Sequence, residues 1–197
     1  MMRIISGTAR GTKLKTLEGD NTRPTLERVK EALFSMIQFD IANAHVLDLF
    51  AGSGQLALES LSRGAASADL VDKSSDAVRV INENVKKTHF ESKARVYCKD
   101  FKAFLSSVRA KYDLVFLDPP YAADMLFPAL DIIVKEDLLS DDAVVVCEIA
   151  ADDRQCEEKL ISVMQKGFSL RKNNVYAKSR LLIFDRIFDK EEGENAE

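Results

Sequence analysis

Histidine and cysteine are scarce in this sequence, with two of the first (His45, His89) and three of the second (Cys98, Cys147, Cys156) in 197 residues. No two cysteines form a C-x-x-C pair, so a zinc centre has too few ligands to draw on, and no metal is expected. His45 precedes an apolar run and His89 ends an amphipathic one, and neither has the local partners of a Ser-His-Asp arrangement. Cys98 and Cys147 close the strand-like runs RVYC and AVVVC, which predicts reduced core thiols. Long hydrophobic stretches are missing too. The opening MMRIISGTAR holds no signal-peptide core, and no later run approaches the roughly 18 apolar residues of a membrane span. The expectation is a cytoplasmic protein with no membrane contact.

What is present is ordinary for a globular domain: 46% hydrophobic and 30% charged residues, in a chain long enough to bury a core unaided. The net charge of −4 argues against a nucleic-acid partner until its distribution is considered. Residues 1–30 carry seven cations (Arg3, Arg10, Lys13, Lys15, Arg23, Arg28, Lys30) against three acids (Glu18, Asp20, Glu27), a local +4 that leaves −8 for the rest. Such a split fits a docking surface for a polyanion, with Arg10, Lys13 and Arg28 as candidate contacts, and it equally fits a solvated basic hairpin. The tail DKEEGENAE is acidic, lacks apolar side chains and is expected to fray.

From residue 45 onward, short apolar runs alternate with longer amphipathic ones. HVLDLF, SADLVD, ARVYC, YDLVFLD and DAVVVCEI read as strands. GQLALESLSRG, SDAVRVINENVKKTH, FKAFLSSVRA, DMLFPALDIIVKE and DRQCEEKLISVMQ read as helices. Pro128 must lie in the first turns of its helix or kink it. FSLRKNNVYA and SRLLIFDRI could pair as a hairpin across Lys178 and Ser179. The pattern predicts an α/β fold with a mostly parallel sheet covered on both faces. It divides as a basic β-hairpin extension over 1–25, a main domain over 26–188 and an acidic tail over 189–197. A helix, TLERVKEALFSMIQF, capped by Thr25, opens the main domain. Ligands of such sheets bind beyond the carboxyl ends of the strands, which here carry Asp48 to Gly54, Asp72, Asp100 and Asp118.

Two of these strand ends carry recognisable chemistry. In DLFAGSGQLA, the glycines between strand and helix let backbone approach a ligand, and Asp72 follows 18 residues after Gly54, where a carboxylate can hold ribose hydroxyls. A nicotinamide dehydrogenase and a methyltransferase both predict that pair. Asp48 favours S-adenosylmethionine, because a carboxylate ahead of the glycines repels a pyrophosphate and attracts a sulfonium and an ammonium. Asp100 and Phe101 suit an adenine amine and ring face, although Phe101 equally suits a core position. The second motif is DPPY, Asp118 to Tyr121. An exocyclic base amine is a poor nucleophile while its lone pair is delocalised into the ring. Two acceptors, the Asp118 carboxylate and the Pro119 carbonyl, can take its two N–H groups and free that pair. The prolines hold the loop out of helix, and Tyr121 offers a stacking face.

Taken together, DLFAGSG, LVD, DPPY and the N-terminal RIISGTARGTKL and TRPTLERVKEALF resemble the RsmD-type bacterial methyltransferases, over nearly the whole chain to about Arg186. The resemblance implies a class I S-adenosylmethionine-dependent methyltransferase fold, Rossmann-like, seven-stranded, with an antiparallel last strand. It implies transfer of a methyl group to the N2 amine of a guanine in 16S ribosomal RNA, leaving S-adenosylhomocysteine. Carried over by position, Asp48, Phe50, Ala51, Gly52, Ser53 and Gly54 hold the methionine part. Asp72 and Lys73 flank the ribose, and Asp100 and Phe101 the adenine. Asp118, Pro119, Pro120 and Tyr121 receive the flipped guanine, and Arg23 and Thr25 close over the cofactor. The expected partner is 16S RNA within a small-subunit particle or assembly intermediate, met by a monomer. Alternatives are a DNA adenine-N6 or cytosine-N4 methyltransferase, for which the chain leaves little space for a recognition domain, a dehydrogenase, or a cofactor-binding regulator without catalysis.

Overall fold

A computed structural model describes residues 2–17, 24–120, 122–165 and 167–187. Its elements are α1 (Pro24–Met36), β1 (His45–Asp48), α2 (Gln55–Ser62), β2 (Ser67–Asp72), α3 (Ser75–Thr88), β3 (Ala94–Cys98) and α4 (Phe101–Leu105). They continue with β4 (Tyr112–Leu117), α5 (Ala122–Lys135), β5 (Leu139–Ala150), α6 (Arg154–Met164), β6 (Phe168–Tyr176) and β7 (Ser179–Arg186). The seven strands make one sheet in the order β3-β2-β1-β4-β5-β7-β6. Neighbours among β1 to β5 pair in parallel, while β7 runs antiparallel to both β5 and β6. The mostly parallel sheet is the one expected from the alternation, and its seven strands with an antiparallel last one are the class I methyltransferase arrangement that the resemblance implies.

Side chains alternate across the sheet, and each face has its own core. Val46, Leu114, Phe116, Val144 and Val146 face a cluster with Leu33, Phe34, Ile37, Leu58 and Ile81. Leu47, Val115, Leu117, Val145 and Cys147 face another with Phe104, Leu130, Ile133 and Leu160. This double cover explains why the central strands read as nearly unbroken apolar runs.

Three details depart from expectation. Cys98, at the end of β3, is exposed, whereas Cys147 and Cys156 are buried; an edge strand covers only part of its surface, so RVYC is less enclosed than AVVVC. Helix α1 starts at Pro24, which puts Thr25 inside the first turn instead of at the cap. Proline suits that first position because its missing N–H would have no helical partner anyway. The β6–β7 turn is Ala177 and Lys178, one residue earlier than predicted, since Tyr176 pairs with Ser179. Pro128 lies within α5. His45 and His89 have structural settings: His45 Nδ1 is 2.8 Å from Ser67 Oγ, and His89 ends α3 in a left-handed conformation.

The N-terminal segment folds back on itself and onto α2. Arg3 and Lys13 form an antiparallel bridge, flanked by Ile4 N to Thr12 O (3.0 Å) and Leu14 N to Met2 O (2.9 Å). Its dock is Glu59, which has no exposed surface and accepts from Ile5 N at 2.8 Å and Ser6 N at 3.0 Å. Lys30 of α1 reaches Glu59 at 3.4 Å and donates to Arg3 O at 2.6 Å, and Arg63 Nε reaches Glu59 at 2.8 Å. Ser62 adds its hydroxyl, accepting from Ala9 N at 2.9 Å and donating to Ser6 O at 2.6 Å.

Gly7 lies where this segment comes nearest to α2. Its φ is 82°, and a Cβ there would fall 1.7 Å from Ser62 O. Gly11 has a similar φ of 86° but faces open space. Gly11→Ala should therefore cost only the left-handed penalty, about 1–2 kcal/mol. Gly7→Ala adds a backbone collision and should cost at least about 2 kcal/mol more, in the range of severe single mutations. Urea unfolding of both variants checks this; equal midpoints would show that the segment does not press on α2.

Candidate active site

β1 and β4 are direct neighbours, in register from Val46 opposite Leu114 to Asp48 opposite Phe116. From this pair the sheet grows one way through β2 and β3 and the other way through β5, so the chain reverses strand order here. Loops leaving such a switch point part and open a crevice. Two loops do so, residues 49–54 after β1 and 118–120 after β4.

The crevice is a cleft of about 920 Å³ of empty space, its open mouth included, and its walls hold Gly52, Asp72, Asp100, Asp118 and Pro120 together. Phe50, Lys73 and Phe101 also line it. Residues far apart in sequence thus meet because each follows a strand at the same edge. Gly52 has φ 55°, and a Cβ on it would meet nothing within 4 Å, so this face of the turn is left open. Gly54, with φ 78°, is packed instead: a Cβ would lie 2.9 Å from Leu70 Cδ2. The two glycines do different work, one keeping backbone accessible to a ligand and the other letting α2 approach β2.

Asp72 fixes the turn. One of its oxygens accepts from Gly52 N at 3.0 Å and the other from Ser74 N at 2.8 Å. A carboxylate offers about four lone-pair sites, so these two bonds leave acceptors on a residue that forms part of the cleft wall. Asp100 caps α4, accepting from Lys102 N at 2.9 Å. The rings of Phe50 and Phe101 meet at 5.5 Å in a tilted pair. Phe101 is both core and wall, 6% exposed yet lining the cleft, so the two readings of this residue describe one position.

Asp48 is placed differently. It is 3% exposed and does not line the cleft; its Oδ2 accepts from Ala57 N at 3.3 Å, capping α2 from beneath the glycine turn. Burial pushes its carboxyl up to about 7, opposed by the Ala57 N–H and reinforced by the nearby charge of Asp72. Ala51, Ser53 and Gly54 are likewise buried behind Gly52. Pro119 is buried between exposed Asp118 and Pro120. Arg23, Tyr121 and the side chain of Thr25 lie outside the described residues.

Leu49, within the Asp48–Gly54 stretch, also lines the cleft, and three wall residues were not anticipated: Leu17, Lys99 and Met125. Lys99 adjoins Asp100, and Met125 stands one turn into the helix after DPPY, so position along the chain could have suggested both. Leu17 had no such signal, because it arrives only through the path of the N-terminal segment. The basic excess of that segment is also smaller at the surface than its sum. Arg3 pairs with Glu27, Lys15 with Glu83 and Lys30 with buried Glu59. Arg10, Lys13 and Arg28 are exposed.

The family model described as "Conserved hypothetical protein 95" matches residues 2–184, from the N-terminal segment into β7. The chain belongs to this family. Similar proteins include "Putative rRNA methyltransferase YlbH" of Bacillus subtilis, 37% identical over 159 residues, covering 79% of this chain and 85% of the relative. "Ribosomal RNA small subunit methyltransferase D" of Escherichia coli is 35% identical over 147 residues, 75% of this chain and 74% of that one. Among solved structures, "Putative methyltransferase yhhF from Escherichia coli" superposes with a TM-score of 0.81 at 30% identity, covering 94% of this chain and 98% of the other. These relatives bear out the RsmD-type resemblance read from the motifs.

The raised pKa of Asp48 has a pH signature. With a folded value of about 7 against an ordinary 3.8, the folded state holds an extra proton between those limits. Stability contributed by this group therefore falls as pH rises from 4 to 7 and is fully lost above it. Asp48→Asn removes that slope and should gain stability over wild type at pH 8 relative to pH 5, by up to about 3 kcal/mol. Denaturant midpoints at the two pH values measure it; an unchanged slope in the variant would assign the effect to another group.

Proposed function

We propose that this protein is an S-adenosylmethionine-dependent methyltransferase acting on the exocyclic N2 amine of a guanine in 16S ribosomal RNA. The observation that carries the reading is that the glycine turn and the Asp118–Pro120 loop face one cleft. The chemistry of the walls fits the cofactor. Gly52 leaves room beside backbone, Asp72 presents a carboxylate fastened by two N–H groups, and Phe50 and Phe101 bring aromatic surface to the same wall as Asp100. When bound there, S-adenosylmethionine supplies a methyl group already activated by its sulfonium.

The chain's own part is to prepare the amine. The Asp118 carboxylate accepts one of its N–H groups and the Pro119 carbonyl the other, which turns the nitrogen lone pair out of conjugation. The prolines make this economical: they fix φ and keep the loop from joining α5, so the carbonyl is aimed before the base arrives. As the N–C bond forms, the amine loses a proton, which Asp118 is positioned to accept. A base in duplex or stem must leave its stack to enter. Arg10, Lys13 and Arg28 supply exposed cations for the phosphate backbone. The loop chemistry suits any exocyclic amine; N2 of guanine and the small-subunit substrate rest on the family and on the names of the relatives. A cytoplasmic monomer working on a small-subunit particle or assembly intermediate is part of the same reading. None of the described helices is long and apolar enough to cross a membrane.

Methyl-labelled cofactor incubated with the protein and naked 16S RNA, small-subunit particles or duplex DNA should label RNA, at a guanine. Asp118→Ala should lower transfer by about 10²-fold or more while keeping S-adenosylhomocysteine affinity within severalfold. Label in DNA alone, or full transfer by the variant, would overturn the assignment.

A further inference from the structure

Asn84 of α3 is fully buried, and its side-chain amide bonds two stretches of backbone that are remote in sequence. Its Oδ1 accepts from Lys15 N at 2.7 Å, and its Nδ2 donates to Lys15 O at 2.9 Å. The second Nδ2 hydrogen goes to Ser53 O at 2.9 Å, in the glycine turn. One residue therefore holds the N-terminal segment by both backbone groups of a single position and holds the cofactor turn with what remains. Lys15 is gripped again by Glu83, whose two carboxylate oxygens each lie 2.9 Å from Nζ. Two residues further on, Leu17 enters the wall of the cleft. A second touch between the same partners comes from Ser53 Oγ, 3.4 Å from Met2 Sδ. The other dock of the segment, at Glu59 and Ser62, lies in the second half of α2.

We infer that Asn84 is a positioning residue that couples RNA docking on the basic N-terminal segment to cofactor binding at the glycine turn. The inference rests on the function proposed above. The segment carries Arg10 and Lys13 on its outer side and Leu17 at the cleft, so any ligand that steadies it also steadies the wall. Asn84 gives that a route to Ser53 because both of its amide hydrogens are committed: a shift of Lys15 must break a bond or draw the Ser53 carbonyl along. In the low-dielectric interior each such buried amide group is costly to leave unpaired, which makes the linked arrangement stiff. Coupling of this kind is reciprocal, each ligand tightening the other by the same factor, and typical factors are about 5- to 150-fold.

The test is a thermodynamic cycle. S-adenosylhomocysteine affinity is measured by calorimetry with and without whichever of 16S RNA and small-subunit particles the protein retains, and RNA affinity is measured with and without the nucleoside. Wild type should show mutual tightening of about fivefold or more. Asn84→Asp keeps the shape and the acceptor for Lys15 N but loses both donations, and should bring the factor near one while each ligand still binds alone. Lys13→Ala should weaken RNA without altering nucleoside affinity in its absence. No mutual effect in wild type, or an intact factor in Asn84→Asp, overturns the inference. Should that variant fail to fold, hydrogen exchange on wild type decides: the nucleoside must slow the Lys15 amide and its neighbours over 12–17, and an unchanged rate there sinks the coupling. A wild type that binds no nucleoside at all would instead remove the proposed function beneath it.

Discussion

The parallel pairing of β1 with β4 is the constraint on which the site depends. Both strands are buried on two faces, so their register is fixed by packing above and below as well as by the ladder between them. A slip of one residue would send Val46 and Leu47 to each other's cores. With that register set, the chain leaves β1 into the glycine turn and β4 into the Asp118 loop at the same height, and Leu49 N still bonds Phe116 O at 3.3 Å as they part. No further device is needed to bring the two loops together. The chemistry proposed for the cleft asks for a donor pocket and an acceptor pocket side by side, and a switch point between adjacent strands supplies that adjacency through the backbone alone.

The strand-end acids divide their labour by depth. Asp72 and Asp100 are on the cleft and spend part of their acceptor capacity on local N–H groups, which fixes their orientation. Asp48 is at the base and serves α2, where a carboxyl near a helix start is favoured by the exposed N–H dipoles. Its burial weakens that favour by penalising the charge. A positive group arriving in the cleft would draw the Asp48 proton off, so the strongest use of this carboxylate comes with a cationic ligand in place. This reconciles its capping role with the electrostatic reading from sequence, without requiring direct contact.

Much of this was legible in the sequence for a specific reason: strand ends in a parallel sheet are marked twice, by the end of an apolar run and by the polar or glycine residues that follow. Asp72, Asp100, Asp118 and Gly52 all carry that double mark. Leu17 carries neither, since its place in the wall depends on where the N-terminal segment docks. The dock depends in turn on Glu59, which reads in sequence as one more polar residue of an amphipathic helix. Cys98 misled because β-branched composition identifies a strand but not whether it stands at the sheet edge. The charge count of residues 1–30 misled in the same way, because a sum cannot distinguish Lys30, buried against Glu59, from exposed Arg10.

That buried hub raises an energetic question. Lys30 and Glu59 lose nearly all their water, and burial pulls the lysine's pKa down against the opposing pull of Glu59. A buried pair of this sort commonly contributes little net stability compared with an apolar substitute. Its usefulness lies in geometry. Glu59 is satisfied only when Ile5 N, Ser6 N, Lys30 and Arg63 converge on it, so an alternative seating of the N-terminal segment would strand a buried charge. An apolar dock would tolerate sliding, and sliding by one residue would exchange Lys15 for a neighbour at Asn84 and displace Leu17 from the cleft. The ionic hub thus sets the register of a segment that has little regular structure of its own, and through Asn84 that register reaches the glycine turn.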